Sequence, residues 1–171
     1  MEHPLVVALF ESPAAASRAA KALHAAGFSD EALSIVASNQ EAEGDLARSL
    51  GASPGVDIED SRPAARLAEL GARLIAAVAL VMPGIGPIVA AGPFAAEAGE
   101  AAGHLAGGLA AMLRGAGLDE GRATAWERQV EQGAVLIGVH VVSGDPDAVS
   151  ALVRGEGARD VAMASWPPGV K

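Results

Sequence analysis

The chain has no cysteine, and aromatic residues make up only 3% of its 171 residues. Without cysteine there is no disulfide, no thiolate nucleophile and no thiolate metal site, which fits a cytoplasmic protein. Scarce aromatics leave the core to Ala, Val and Leu, the bulk of a hydrophobic content of 51%. Positive charge is scarce too. Lys and Arg number 12 against 21 Asp and Glu, for a net charge of −9. That balance repels phosphate backbones, and no Lys/Arg cluster offsets it, so nucleic acid is not expected as a partner. An anionic membrane surface is disfavoured for the same reason. The first five residues hold no basic segment ahead of a long apolar run, so a secretory signal is not expected.

What is present reads as two β-α-β units. Residues 5–10 (LVVALF) form a short apolar run suited to a buried strand. Ser12 offers an N-cap and Pro13 a first helical position, and the helix runs through Ala16, Ala20 and Leu23 to Gly27. Residues 33–37 (LSIVA) read as a second strand. Residues 135–142 (VLIGVHVV) are the most β-branched stretch. Asp145 and Pro146 then start a helix that Gly155 or Gly157 ends, and residues 161–164 close as a strand. The repeated punctuation predicts an α+β fold, a ferredoxin-like βαβ…βαβ antiparallel sheet. The expected organisation is one composite domain. Residues 1–37 form the first half, 38–62 a polar linker, 63–118 an apolar insertion, and 119–171 a helix plus the second half. Asp119 caps the helix expected over 119–132, and Ala123, Trp126 and Val130 share one stripe of it.

Residues 74–96 carry no charged side chain, which is long enough to cross a bilayer. Pro83, Gly84, Gly86 and Pro87 interrupt the run at its centre and predict a tight turn between two apolar helices. The first runs from Pro63 to about Val81, the second from about Pro93 to Arg114. Glycines before a helix can cradle phosphate, but no GK[ST] follows and two prolines remove donors. Small residues recur every four positions on both helices: Ala64, Ala68, Ala72 and Ala76, then Gly99, Gly103, Gly107, Ala111 and Gly115. That period lets two backbones approach closely. Packing within the hairpin is favoured over packing between subunits, and both over a pair embedded in lipid.

A charged stripe follows each helix. Arg66, Glu69 and Arg73 share one face; Glu97, Glu100 and His104 share the other. Antiparallel pairing makes the stripes complementary, a salt-bridge ladder that fixes register. Glu69, Glu97, Glu100 and His104 are also candidate metal ligands, with Glu127 and Glu131 able to approach from the next helix. A Glu-x-x-His pair on each of two helices is missing, and the two arginines would repel a cation, so a metal is disfavoured and no cofactor is expected. Nucleophilic catalysis finds no support: cysteine is absent, and no G-x-S-x-G elbow joins a strand to a helix. His24 and His140 read as packed or edge histidines, and Trp126 and Trp166 as core or rim packing.

The segments "ESPAAASRAAKALHAAGF", "MPGIGPIVAAGPFAAEAGEAAGHLAGGLAAML" and "GAGLDEGRATAWERQVEQGAVLIGVHV" together resemble the bacterial general stress protein family of the heat-induced type. The resemblance spans nearly the whole chain, with PGIGP…AAGP its most specific part. It implies a stress-associated bacterial protein, and no catalytic residues to carry over. In that family the second hairpin helix is nearly all Ala, Gly and Leu. Here Glu97, Glu100 and His104 interrupt it, and Trp126 stands where Tyr is common. The expected function is non-enzymatic, through self-association or partner binding by the hairpin, as a homo-oligomer. Metal or small-ligand binding is one alternative. Reversible membrane contact through the hairpin tip is the other, disfavoured by the lack of flanking Lys/Arg clusters and interfacial aromatics.

Overall fold

Two residue pairs, Ser12-Pro13 and Asp145-Pro146, set the helices that follow the first and fifth strands. The computed structural model describes residues 3–38, 78–82, 86–91, 93 and 108–166. β1 (His3–Phe10) leads into α1 (Pro13–Ala25), where the Ser12 hydroxyl accepts from the Ala15 amide at 3.3 Å. Pro13 sits where a missing N–H leaves nothing unpaired. The helix ends in a Schellman turn. Gly27, at φ +97°, donates to the His24 carbonyl, and Phe28 donates to that of Leu23. β2 (Leu33–Ser38) follows. At the other end of the chain, β5 (Val135–His140) passes to α4 (Pro146–Gly155), capped by Asp145, and then to β6 (Asp160–Trp166).

With β3 (Val78–Met82) and β4 (Gly86–Ala91), the strands form one six-stranded antiparallel sheet in the order β3-β4-β2-β5-β1-β6. β5 lies between β1 and β2, so the two β-α-β units interlock rather than stand side by side. The architecture is mixed α+β. Leu5, Val7 and Leu9 of β1 pack with α2 (Gly108–Gly115) and α3 (Glu120–Glu131) on one face. Val6, Ala8 and Phe10 pack with α1 and α4 on the other. Period-two alternation thus feeds two cores, which is why residues 5–10 are apolar without interruption. The face that a four-stranded sheet with two helices would leave bare is covered within the chain by α2 and α3.

The insertion departs from expectation. β3 (Val78–Met82) is a strand where the end of the first apolar helix was expected, and β4 (Gly86–Ala91) is a strand between the expected turn and the expected start of the second helix. Chain reversal between them agrees with expectation, since Met82 pairs with Gly86. The secondary structure does not. Each run is only five or six residues, rich in Val and Ile, a length that suits a strand and is short for a helix. β2 offers Ile35–Ser38 as an edge, and pairing with β4 satisfies those backbone groups. Pro87 lies beyond the β2 register, opposite Val81, so its missing N–H interrupts no bond to β2.

The helix expected from Pro93 to Arg114 is interrupted at Gly108, whose φ is +64°, and its last part is α2. The rest of that expected helix, and the part of the first one before Val78, lies outside the described residues. So does nearly all of the 38–62 linker. The Asp119 cap and the buried Ala123, Trp126 and Val130 of α3 are as expected.

Candidate functional site

Antiparallel register carries His3, at the start of β1, toward His140, at the end of β5, through the Leu5–His140 pairing. The same strand brings His3 opposite Trp166, at the end of β6. Ser34 enters on β2, whose neighbour across the ladder is Gly138. The outcome is a chain of hydrogen bonds. His3 Nε2 lies 3.0 Å from His140 Nδ1, and His140 Nε2 lies 3.0 Å from the Ser34 hydroxyl. The His140 ring meets Trp166 edge-on, with centroids 5.1 Å apart. His140 is 4% exposed and Ser34 is 0% exposed. Burial, with His3 as a second contributor, lowers the His140 pKa from 6.5 to about 4. The ring is neutral at pH 7.

A neutral His140 holds one ring proton, so the chain has two self-consistent arrangements. In one, Ser34 donates to His140 Nε2, and His140 Nδ1–H donates to His3. In the other, His3 Nε2–H donates to His140 Nδ1, and His140 Nε2–H donates to Ser34. A proton held or accepted at His3 therefore selects the tautomer of a ring beneath it. The Ser34–His140 pair has the spacing of a nucleophile and its base. Ser34 is sealed from solvent, however, so a substrate carbonyl cannot approach its Oγ. The chain transmits hydrogen-bond polarity and is not a nucleophilic centre.

His3, His140 and Trp166 line a cleft of about 710 Å³ at this end of the sheet. One wall is the Schellman turn after α1, with Phe28. His24 Nδ1–H donates to the Phe28 carbonyl at 2.9 Å and braces that turn. The facing wall is the β5–α4 loop and the first turns of α4, with Val149 and Leu152. Val142 stands at the rim and, at 78%, is the more exposed of two exposed large apolar side chains among the described residues. Glu31 and Asp145 supply carboxylates, and the described lining residues include no Lys or Arg. The volume, apolar walls and few converging polar groups are those of a small-molecule site.

The sequence reads His140 as a packed or edge histidine and Trp166 as core or rim packing. Both are buried, but that reading misses their junction with His3 and Ser34. The available signal was a His near each end of the two most apolar strands, which antiparallel pairing brings together.

The other candidate residues fare differently. Glu69, Glu97, Glu100 and His104 lie outside the described residues, as do Ala68, Ala72, Ala76, Gly99, Gly103 and Gly107. Among the described residues no group of His, Asp and Glu could hold a metal ion. Glu127, weighed as a further ligand, instead accepts from the Ala110 amide at 2.7 Å and satisfies the start of α2. Pro83 and Gly84 lie outside the described residues, while Gly86 and Pro87 belong to β4. The letters of G-x-S-x-G do occur once, at Gly51-Ala52-Ser53-Pro54-Gly55 in the linker, also outside the described residues. No described helix is long and apolar enough to cross a membrane. No protein-family model, no curated protein and no solved structure matches the chain.

Proposed function

We propose that the chain is a non-enzymatic, stress-associated cytoplasmic protein that acts by self-association or partner binding. In this reading its scaffold is ferredoxin-like, which the order β2-β5-β1-β6 within the larger sheet supports. The insertion serves as the contact element, as strands added to the sheet edge in place of two helices. One observation carries the reading. β3, the outermost strand, has the sequence Val78-Ala79-Leu80-Val81-Met82, with no charge, proline or glycine. Natural sheets blunt their edges with lysine, proline, bulges or a covering segment. Among the described residues no further strand pairs with the outer side of β3, and an edge of this composition favours addition of a strand, from a second copy or from a partner. The opposite edge is treated otherwise: the Ser165 amide of β6 donates to the Ala116 carbonyl at 2.9 Å.

Size-exclusion chromatography with light scattering on tag-free protein tests this reading. The expected result is one discrete species, a dimer or larger, that Leu80→Lys converts to monomer without loss of helix content. A wild-type monomer at high micromolar concentration overturns self-association. A polydisperse aggregate that only detergent rescues places the edge in lipid instead.

A further inference from the structure

We infer that the cleft beside His3 binds a small planar aromatic ligand bearing a positively charged hydrogen-bond donor, with the His3 imidazole as acceptor. This site is separate from the β3 edge. Four observations meet there. The cleft, at about 710 Å³, is large enough for such a molecule. Phe28 and Trp166 supply planar aromatic contact and Leu152 aliphatic contact. Val142, exposed at the rim, is a side chain that an occupant would cover. The formal charges on the lining are the carboxylates of Glu31 and Asp145, with no described Lys or Arg to receive an anion. Asp145 accepts the Asp147 amide through Oδ1 at 3.0 Å, a bond that leaves its negative charge in place.

The buried chain gives the site its polarity. His3 Nε2 is engaged by His140, which leaves Nδ1 as the ring nitrogen for a ligand. A donor ligand needs Nδ1 unprotonated, so the His3 proton sits on Nε2 and points at His140 Nδ1. His140 then carries its proton on Nε2 and donates to Ser34. An acceptor ligand requires the reverse at every link. Because His140 is buried, its tautomer reports which kind of ligand is bound.

Benzamidine and benzoate test this, being planar rings of similar size with opposite charge. The full chain is titrated with each at pH 8, while NMR follows the Trp166 indole and the imidazole nitrogens of His140. Benzamidine should saturate, move Trp166 and residues 26–29, and drive His140 to the Nε2–H form. Benzoate should bind at least about tenfold more weakly, the scale of one charge-assisted hydrogen bond. Ala148→Trp, on an exposed lining position of α4, should abolish benzamidine binding, with Ser143→Trp as a second blocking variant. His3→Ala should weaken binding about tenfold while circular dichroism stays unchanged. Benzoate binding as tightly as benzamidine overturns the inference. So does benzamidine binding that ignores both blocking variants, fails to saturate, or leaves His140 in the Nδ1–H form.

Discussion

The two ends of the sheet are tied by opposite means. At one end, His3, His140 and Ser34 form a chain that is buried and neutral. At the other, Arg122 of α3 grips Asp160 at the start of β6, its Nε at 2.9 Å from the carboxylate. Trp126 Nε1 donates to the same carboxylate at 3.0 Å, and the Arg122 guanidinium lies over the Trp126 ring at 5.5 Å. The Arg122 and Asp160 side chains are each 37% exposed, so water helps to hold their charges. The hydrogen bond from Arg122 lowers the Asp160 pKa against the opposing effect of burial. Burial decides the difference. A group cut off from water sheds its charge, whereas a half-exposed group keeps charge if a partner is fixed beside it. The charged end is closed by α3, and the neutral end opens on a cleft.

That contrast breaks in a definite order of severity. Trp126→Ala should have the largest effect. It empties a core site beneath α3 and strips a hydrogen bond from Asp160, at a cost of about 3–5 kcal/mol in chemical denaturation. Second comes acid. His140 has a folded pKa near 4 against 6.5, so the unfolded chain takes up its proton first as pH falls. Stability from this group is complete above pH 6.5 and is lost as pH drops toward 4. At about 1.4 kcal/mol per pH unit the loss is roughly 3 kcal/mol. Denaturation curves of wild type and His140→Gln across that window separate this contribution from the carboxylates, because the variant lacks this slope.

Asp160→Asn should cost less, about 1–2 kcal/mol, since solvent reaches both partners. The Asp160 contribution is also acid-sensitive but in a lower window, below the ordinary carboxylate pKa, because its folded pKa is depressed. The smallest effect belongs to Arg159 and Glu11, an exposed pair joining β6 to β1, where Glu11→Gln should change stability by about 0.5 kcal/mol or less.

The frame of the fold was legible where local chemistry and tertiary packing ask for the same thing. Ser12-Pro13, Asp145-Pro146 and Asp119 start helices whatever surrounds them, and the apolar alternation of β1 and β5 has one sensible burial. The β3–β4 hairpin was not legible, because lack of charge over 74–96 says that a segment is buried without saying how. Val78, Val81, Ile88 and Val89 were the signal for strands, outweighed by the Ala and Gly around them. Which helix closes which face of the sheet depends on contacts far apart in sequence, as where α3 joins α2 on the face carrying Leu5, Val7 and Leu9. His140 meets His3 across 137 residues, and only strand register places them side by side.

The measurement that bears most directly on the contrast between the two ends is an NMR titration of the His140 ring nitrogens from pH 8 to pH 3.5 in the folded protein. His140 should stay neutral until about pH 4, and its protonation should coincide with loss of the native spectrum. A reversible midpoint near 6.5 with the fold intact would mean that water reaches the ring, and the buried neutral chain would have to be abandoned.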